Sequence, residues 1–324
     1  MNAVVILSDG ATHSLSDLET LPEPSWVSLD TTRDSVEQIR HVLRDTFSIH
    51  PIAIESALES NQRPRIDDYD GFTHIITVGI TPEGELDEVD IFVTATHVVT
   101  LHRGTSSSLD QVIKNIAAHP VSTKSPFPVV VCFLIMDAVV DTYFPMLASM
   151  DDAIDDLEMA ILKNPTEDQL STLFDMKRNI MQIRKAVNPQ RDMISALNAG
   201  VTSIPGLTDD STNYFRSLYD HFIRVNDLVD SYRDLVTGAM DTHLAMVSNR
   251  LNVVMKQLAI ISTLFLPLSF LTGFFGQNFA WPIAHWYNSG LQFLVVGIGM
   301  DILAVAGVFL LFKKRGWLQR DSLA

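Results

Sequence analysis

Two long apolar stretches near the C-terminal end dominate the pattern of hydrophobic and polar positions. Residues 258–275 hold 18 positions without a charge, and residues 291–312 hold 22 positions with Asp301 as their only charge. At 1.5 Å per residue they give about 27 Å and about 33 Å of helix, against a hydrocarbon core of about 30 Å. A buried core helix is the alternative for one such run, but two runs joined by 15 residues favour membrane insertion. The pattern therefore predicts two transmembrane helices, at 258–275 and 291–312.

The charges that flank these stretches predict how they cross the membrane. Lys313, Lys314 and Arg315 follow the second stretch directly, and basic residues favour the cytoplasmic side. The loop 276–290 is then extracytoplasmic, and the basic tail 313–324 is cytoplasmic. We expect a multi-pass protein of the inner membrane, in contact with lipid, with both termini in the cytoplasm.

A single long helix is predicted to lead into the first span. The stretch Leu207–Leu266 has no proline and only one glycine, Gly238, so a helix over Ser211–Phe275 would have 65 residues and a length of about 98 Å. Residues 1–210 then form a cytoplasmic domain, and residues 211–257 form a cytoplasmic stalk.

A stripe of acidic residues follows this helix at intervals of seven. Such a repeat stays on one face when helices supercoil around each other. A solvated face is the usual meaning of an acidic stripe, and we expect it for the first two members. At the end of the stripe nearest the membrane, a ring of Asp241 with Asp234 would concentrate divalent cations. The members are Asp220, Asp227, Asp234 and Asp241.

The same face continues into the first span with amide, hydroxyl and apolar groups in alternation. In a pore, the amide and hydroxyl oxygens would contact a hydrated ion, and the large apolar side chains would form constrictions. Ordinary packing of small residues against another helix is the alternative. The residues predicted to line the pore are Asn252, Met255, Leu258, Ser262, Leu266, Ser269 and Gly273.

Charge and composition limit the classes of function. The net charge is −16, and residues 1–256 alone carry −18, which argues against nucleic acid as a partner and favours cations. Cys132 is the only cysteine, so neither an internal disulfide nor a thiolate metal cage is available. The sequence has no phosphate-binding loop, nucleophile elbow or metal-hydrolase motif, so we expect neither an enzyme nor a cofactor.

Several segments together resemble the CorA-type magnesium transporter family. SNRLNVVMKQLAIISTLFLPLSFLTGFFGQNF (248–279) resembles the first-span signature, which ends in Gly-Met-Asn in the family. Upstream segments follow in the family's order, and the likeness covers nearly the whole chain. They are SWVSLD (25–30), FSIHPIAIESAL (47–58), RPRIDDYDGFTHII (63–76), FLIMDAVVDTYFPMLASMDDAIDDLE (133–158), RKAVNPQRDMISAL (184–197) and YFRSLYDHFIRVNDLVDSYRDLVTGAMD (214–241).

The resemblance implies an α+β membrane protein that assembles as a homopentamer. Five copies of the long helix would line one central pore, beside cytoplasmic domains of αβα architecture. The hydrophobic pattern agrees with mixed α and β structure, with TPEGEL (81–86) as a hairpin turn. Strands are expected at Val4–Leu7, Trp26–Leu29, His74–Ile80, Val89–Thr94 and Val98–Leu101, and helices at about Ser35–Phe47, Pro51–Ser60, Leu109–Ala118, Val129–Leu162 and Thr166–Val187.

The resemblance also implies that Gly276, Gln277 and Asn278 form a selectivity filter at the outer end of the first span. Magnesium holds its waters tightly, and amide oxygens accept hydrogen bonds from those waters. The negative end of the helix dipole points at the same place. Gly276 suits the left-handed backbone that commonly ends a helix. The expected cargo is magnesium, with cobalt or nickel as further ions.

Three positions depart from the family pattern. Gln277 stands where the family has Met, which leaves the preferred cation open. Ser56 and Ser217 stand where relatives have Asp residues that meet across subunits around a regulatory magnesium ion. Glu55 is the remaining carboxylate of that set. We therefore hypothesise that magnesium feedback through this site is weak or absent.

The sequence leaves alternatives open for the role of Asp301 and for the identity of the transported ion. A carboxylate within a span usually faces water or a partner, so Asp301 either bonds to a serine or threonine of the first span or couples transport to protons. A zinc transporter of the same family, with or without proton coupling, is the nearest alternative, and His285 in the outer loop favours it. A membrane-anchored cytoplasmic sensor without transport is the alternative from another class.

Overall fold

The structure divides the chain into two compact units. A computed structural model describes residues 3–18, 20–121, 123–277, 281, 284–285 and 289–317. The first unit is Met1–His243, and the second is Leu244–Ala324.

A mixed sheet of seven strands forms the centre of the first unit within the described residues. In chain order the strands are β1 (Val4–Leu7), β2 (Thr12–Ser14), β3 (Ser25–Asp30), β4 (Arg65–Tyr69), β5 (Phe72–Ile80), β6 (Leu86–Thr94) and β7 (His97–His102). Their spatial order is β2-β1-β3-β7-β6-β5-β4. The β3–β7 pair is parallel, and the other pairs are antiparallel.

Eight labelled helices complete the described part of the chain. They are α1 (Val36–His41), α2 (Pro51–Leu58), α3 (Ser107–Ala118), α4 (Phe127–Asp141), α5 (Tyr143–Lys163), α6 (Glu167–Asn198), α7 (Asp209–Phe275) and α8 (Gly299–Lys314). A π-helical turn, Val42–Thr46, follows α1. A helical turn, Gly290–Gln292, and a π-helical segment, Phe293–Ile298, precede α8. Helix α7 is continuous over 67 residues.

Helices pack on both faces of the sheet. Val27, Leu29 and Val99 belong to a buried cluster with Ile39 of α1 and Ile54 of α2. Helix α4 contacts β3, β5, β6 and β7, and most of its apolar side chains are buried. The predicted mixture of a sheet and long helices is confirmed.

Three helical stretches of the described residues are long and apolar enough to cross a membrane, judged by length and composition alone. In Phe127–Lys163, 61% of the most apolar window is buried within the chain, against none for α7 and 6% for Gly290–Lys314. The first stretch is apolar because it packs in the core of the first unit. The other two contain the predicted spans.

The predicted single helix Val129–Leu162 is wrong, because the structure has two helices there. The break comes at Thr142, whose Oγ1 donates to Val139 O at 2.6 Å and accepts from Ile80 N at 2.9 Å. Pro145 lies in the first turn of α5, where its missing N–H costs no helical hydrogen bond. The helix therefore breaks where the Thr142 side chain forms its hydrogen bond to Ile80 of β5.

The predicted end of the next helix at Val187 is also wrong, since α6 continues through Pro189 to Asn198. A proline inside a helix frees a carbonyl and bends the backbone. Pro189 and its neighbour Gln190 are fully or almost fully buried, and tertiary packing holds the helix together across them.

Two strands, β2 and β4, were not predicted. Both are polar, with the sequences THS and RIDDY, and both lie at the edges of the sheet. Edge strands need no apolar alternation, because solvent reaches one side of them. Pairing with β1 and β5 defines them instead.

Gln190 joins α6 to the sheet through a buried hydrogen-bond network. Its Oε1 accepts from Thr77 Oγ1 and from Val78 N at 3.2 Å, and its Nε2 donates to Val78 O at 3.0 Å. Tyr143 Oη also donates to Val78 O. One glutamine therefore satisfies backbone groups of β5 that have no access to water.

Replacing Gln190 by alanine is expected to loosen this part of the core. The change leaves Val78 N–H unpaired, at a cost of about 1–3 kcal/mol.

Cys132 on α4 reports such opening, because burial raises the pKa of its thiol to about 12 and hides it from reagents. In detergent-solubilised protein we expect Cys132 to react with a thiol reagent about tenfold faster in Gln190→Ala. The matched control is Gln182→Ala, at an exposed position of the same helix; equal rates in both variants would contradict the role of Gln190.

Candidate ion pore

The seven predicted pore residues lie on one exposed side of α7, in the second unit. At 100° per residue they fall within about 120° of the helix circumference. The large apolar members are strongly exposed, with 67% for Met255, 63% for Leu258 and 71% for Leu266. Asn252, Ser262, Ser269 and Gly273 are exposed as well. The chain itself leaves this side of the helix uncovered.

The opposite side of the same helix is partly covered. Its half-buried positions are centred roughly 160° from the predicted pore side. Leu268 lines a cavity together with residues of α8, so the second span lies next to this side. The half-buried residues are Val253, Lys256, Ile260, Leu264, Pro267, Leu268, Leu271 and Phe275. Contacts within the chain therefore use the side that lacks the predicted pore residues.

The hydroxyl groups of the span differ in their hydrogen bonding. Thr263 Oγ1 donates to Ala259 O and Thr272 Oγ1 donates to Leu268 O, both at 2.8 Å. Such local bonds satisfy a hydroxyl within its own helix. The hydroxyls of Ser262 and Ser269 make no side-chain hydrogen bond within the described part of the chain. They are the hydroxyls that remain free for a partner on the pore side.

The predicted filter begins where α7 ends. Gly276 N donates to Thr272 O at 2.9 Å, and Gln277 N donates to Phe274 O at 3.2 Å. The helical hydrogen bond at Gly276 keeps its φ negative, so the predicted left-handed conformation is wrong. A Cβ at Gly276 would lie 3.1 Å from Thr272 O, a close contact that favours glycine. Asn278 lies outside the described residues.

Asp301 lies on α8 beside a cavity of 340 Å³ with otherwise apolar walls. Its Oδ1 atom is buried and has no hydrogen-bond partner among the described residues. The predicted bond from a serine or threonine of the first span is therefore not formed to this oxygen. The Thr263 and Thr272 hydroxyls bond to their own helix, and Ser262 and Ser269 lie on the side of α7 opposite to this cavity.

The acidic stripe lies on the exposed side of α7 in the first unit. Asp220, Asp227, Asp234 and Asp241 are all exposed, whereas residues such as Phe222 on the other side are buried in the core. This placement fits a solvated face, and it leaves Asp241 free to contact cations.

Asp234 differs from the other members because it is paired. Its Oδ1 accepts from Arg233 Nη2 at 2.8 Å, and this hydrogen bond raises the pKa of the Arg233 guanidinium. An exposed pair of this kind is weak. Asp241 is therefore the stronger candidate of the two for attracting cations.

At the predicted regulatory position, Glu55 and Ser56 both have partners within the chain. Glu55 Oε1 lies 3.1 Å from Arg40 Nη2. The Ser56 hydroxyl donates to Gln62 Oε1 at 3.0 Å and accepts from Arg65 Nη2 at 2.6 Å. The Arg40 partner was missed by sequence reasoning, because it comes from α1. A cation at Glu55 would have to compete with this guanidinium.

No group of three or more His, Cys, Asp and Glu residues within the described ranges has the geometry to hold a metal ion. His285 is exposed, its Nδ1 lies 2.9 Å from Trp281 O, and its ring stacks on Trp281.

The mixed α and β fold, followed by two long apolar helical stretches, is typical of a class of membrane transport protein. The sequence model of the family described as CorA-like Mg²⁺ transporter protein matches residues 23–314, and the chain belongs to that family. The resemblance seen in the sequence is confirmed.

Relatives and a solved structure support this placement. The cobalt/magnesium transport protein CorA of Thermotoga maritima is 32% identical over 304 residues, covering 91% of this chain and 84% of that protein. The zinc transport protein ZntB of Pectobacterium atrosepticum is 23% identical, covering 81% and 79%. The solved structure of the CorA magnesium transporter from Methanocaldococcus jannaschii superposes with a TM-score of 0.85 at 18% identity, covering 98% of this chain and 99% of that one.

These relatives are transporters, which confirms at the level of the family that the chain is not an enzyme. One relative is named for cobalt and magnesium and another for zinc. These names agree with a divalent cation as cargo and do not select one. The roles of the filter, pore and regulatory residues stay predictions.

Magnesium at millimolar concentration is expected to give the first unit no protection from limited proteolysis. The reason is that Ser56 and Ser217 supply no carboxylate, and Arg40 already pairs with Glu55. The measurement is the rate of cleavage of full-length protein with and without magnesium. The double variant Ser56→Asp, Ser217→Asp is the matched comparison and is expected to gain protection. Protection of the wild type that Glu55→Ala removes would refute the hypothesis.

Proposed function

We propose that this chain forms a homopentameric channel that brings divalent cations, magnesium foremost, into the cytoplasm. The observation that carries the proposal is the division of α7 into two sides. The side with amides and hydroxyls is exposed, and the chain's own second span lies next to the other side. Five copies that turn the exposed side inward would enclose a polar path through the membrane.

Polar groups facing lipid are unfavourable, so this side needs a partner. Other copies of the same chain can be that partner. In a closed symmetric ring, the polar side of every copy meets the other copies. The relatives' names, which concern transport, agree with a pore rather than a simple anchor. The sensor alternative gives no reason to place Asn252, Ser262 and Ser269 on one helix side.

In the proposed pore, the ion keeps most of its water. Five copies of Asn278 and Gln277 would offer amide oxygens to the waters around the ion, without the tight hold of a carboxylate ring. The carbonyl end of α7 adds negative potential at the same place. Met255, Leu258 and Leu266 form apolar rings that close the path by excluding water. Asp241, earlier on α7, raises the local concentration of cations.

The proposed arrangement in the inner membrane keeps both termini in the cytoplasm. Lys313 and Lys314 close the second span, and basic residues favour the cytoplasmic side. The acidic first unit then lies in the cytoplasm, and the filter lies at the outer surface. Transport inward would follow the membrane potential without a further energy source.

Proton-linked zinc transport is the second candidate. Similarity to a zinc transport protein agrees with zinc as cargo. The unpartnered Asp301 Oδ1 is the specific observation that favours proton coupling, since an intramembrane carboxylate without a partner marks functional sites more often than structural ones.

Reconstituted protein is expected to conduct magnesium, cobalt and nickel into liposomes under an inside-negative potential. Asn278→Ala removes an outer-shell hydrogen bond from each subunit and is expected to lower the flux by at least about tenfold. The measurement is ion uptake with a fluorescent indicator for each cation, zinc included. No flux of any divalent cation would refute the channel, and zinc flux alone would favour the second candidate.

The pore side of α7 can be tested with single cysteines, because Cys132 is the only native one and is buried. Ser262→Cys places a thiol on the proposed pore side, and Leu264→Cys, two residues further along the helix, places one on the half-buried side. A cationic thiol reagent is expected to block flux through Ser262→Cys and to leave Leu264→Cys unaffected, because lipid excludes the charged reagent. Block of both variants alike, or of neither, would contradict the assigned faces.

The variant Asp301→Asn tests whether transport is passive, as in the first candidate, or coupled to protons, as in the second. The change removes the ionisable group with little change of shape. If transport is proton-linked, acidifying the outside speeds uptake in the wild type, and Asp301→Asn loses that response while keeping uptake at uniform pH. The matched control is Asp227→Asn at an exposed position of α7, which is expected to keep the wild-type response. A wild-type flux insensitive to the pH gradient excludes coupling.

A further inference from the structure

A basic cavity in the first unit lies outside the proposed pore. It is formed by the loop that follows α2, the β5–β6 hairpin and the middle of α6. Its volume is 630 Å³, within the range of about 300–1,000 Å³ that small-molecule sites occupy. The proposed transport mechanism uses none of its residues.

The charge of the cavity has the opposite sign to that of the chain. Arg63, Arg184 and Lys185 line it, and no carboxylate does. Arg184 Nε lies 3.3 Å from Asp230 Oδ1, so its charge is matched. Arg63 and Lys185 are exposed and have no ion pair within the described part of the chain. In a protein of net charge −16, two unmatched cations in one cavity select for an anion.

Asn188, one of the lining residues, has an unused hydrogen-bond acceptor. Asn188 Oδ1 is buried and has no partner among the described residues. Buried polar atoms are nearly always paired, so this atom points to a donor that a ligand would bring. If the amide is turned the other way, its NH₂ group takes the same place and seeks an acceptor.

The walls between these polar groups are mainly apolar. Pro64, Leu86 and Met181 contribute to them, and the latter two side chains are exposed apolar groups in an otherwise charged surface. Such walls favour a flat or apolar ligand body beside the anionic group. A bare inorganic anion would leave both the walls and Asn188 unused.

We propose that this cavity binds a nucleoside phosphate. The phosphate oxygens accept hydrogen bonds from Arg63 and Lys185, the base lies against the apolar wall, and a base N–H or ribose O–H reaches Asn188. The bound nucleotide would join the loop after α2 to α6. The proposal concerns a binding site in the first unit and does not depend on the proposed transport.

The test is titration of purified full-length protein with ADP in the presence of a chelator, followed by calorimetry. We expect saturable binding that Arg63→Gln and Lys185→Gln each weaken by about tenfold, because each removes one charge-assisted hydrogen bond. Asn188→Ala is expected to weaken ADP binding as well. Inorganic phosphate lacks the base and the ribose, and adenosine lacks the phosphate groups. Both are expected to bind far more weakly than ADP.

The matched control is Lys177→Gln, because Lys177 is an exposed lysine of the same helix that does not line the cavity. It should bind ADP like the wild type, and melting temperatures should show that all variants fold. Three results would each overturn the proposal. They are no saturable ADP binding to the assembled protein, ADP binding unchanged in both Arg63→Gln and Lys185→Gln, and phosphate binding as tight as that of ADP.

Discussion

A helix that crosses lipid has to place its polar side chains where something other than lipid meets them, and this requirement shapes α7. Asn252, Ser262 and Ser269 occupy one side of the helix, and the second span lies next to the other. The chain itself partly covers the other side. The polar side is not covered, so its partner has to be water, an ion or another copy of the protein.

The same division into two sides appears earlier on α7, in water. Phe215, Phe222 and Val229 are buried against the rest of the first unit, and the aspartates spaced by seven lie on the exposed side. In that unit the hydrophobic effect selects the buried side, whereas in the second unit the cost of polar groups in lipid makes the selection. Different physical effects therefore select the sides of this one continuous helix in its two units.

Several charged groups of the structure are paired within the chain. Glu55 pairs with Arg40, Asp234 with Arg233, and Arg184 with Asp230. Among the described residues, Asp301 Oδ1 beside its apolar cavity has no hydrogen-bond partner, and Arg63 and Lys185 in the basic cavity have no ion pair. Burial or confinement of a polar group without a partner costs free energy, and functional sites are where proteins commonly accept that cost.

Local hydrophobic period was enough to predict five strands, the two spans and the long helix, and motif order was enough to predict the family. These features depend on neighbours along the chain, so the sequence by itself determined them. Tertiary structure decided the edge strand β4, the break at Thr142 and the continuation of α6 through Pro189. It also left Asp301 Oδ1 without a partner among the described residues. It also decided the Arg40–Glu55 pair and the basic cavity. Each of these depends on a contact, or the lack of one, between residues distant in sequence, and no local pattern records such a contact.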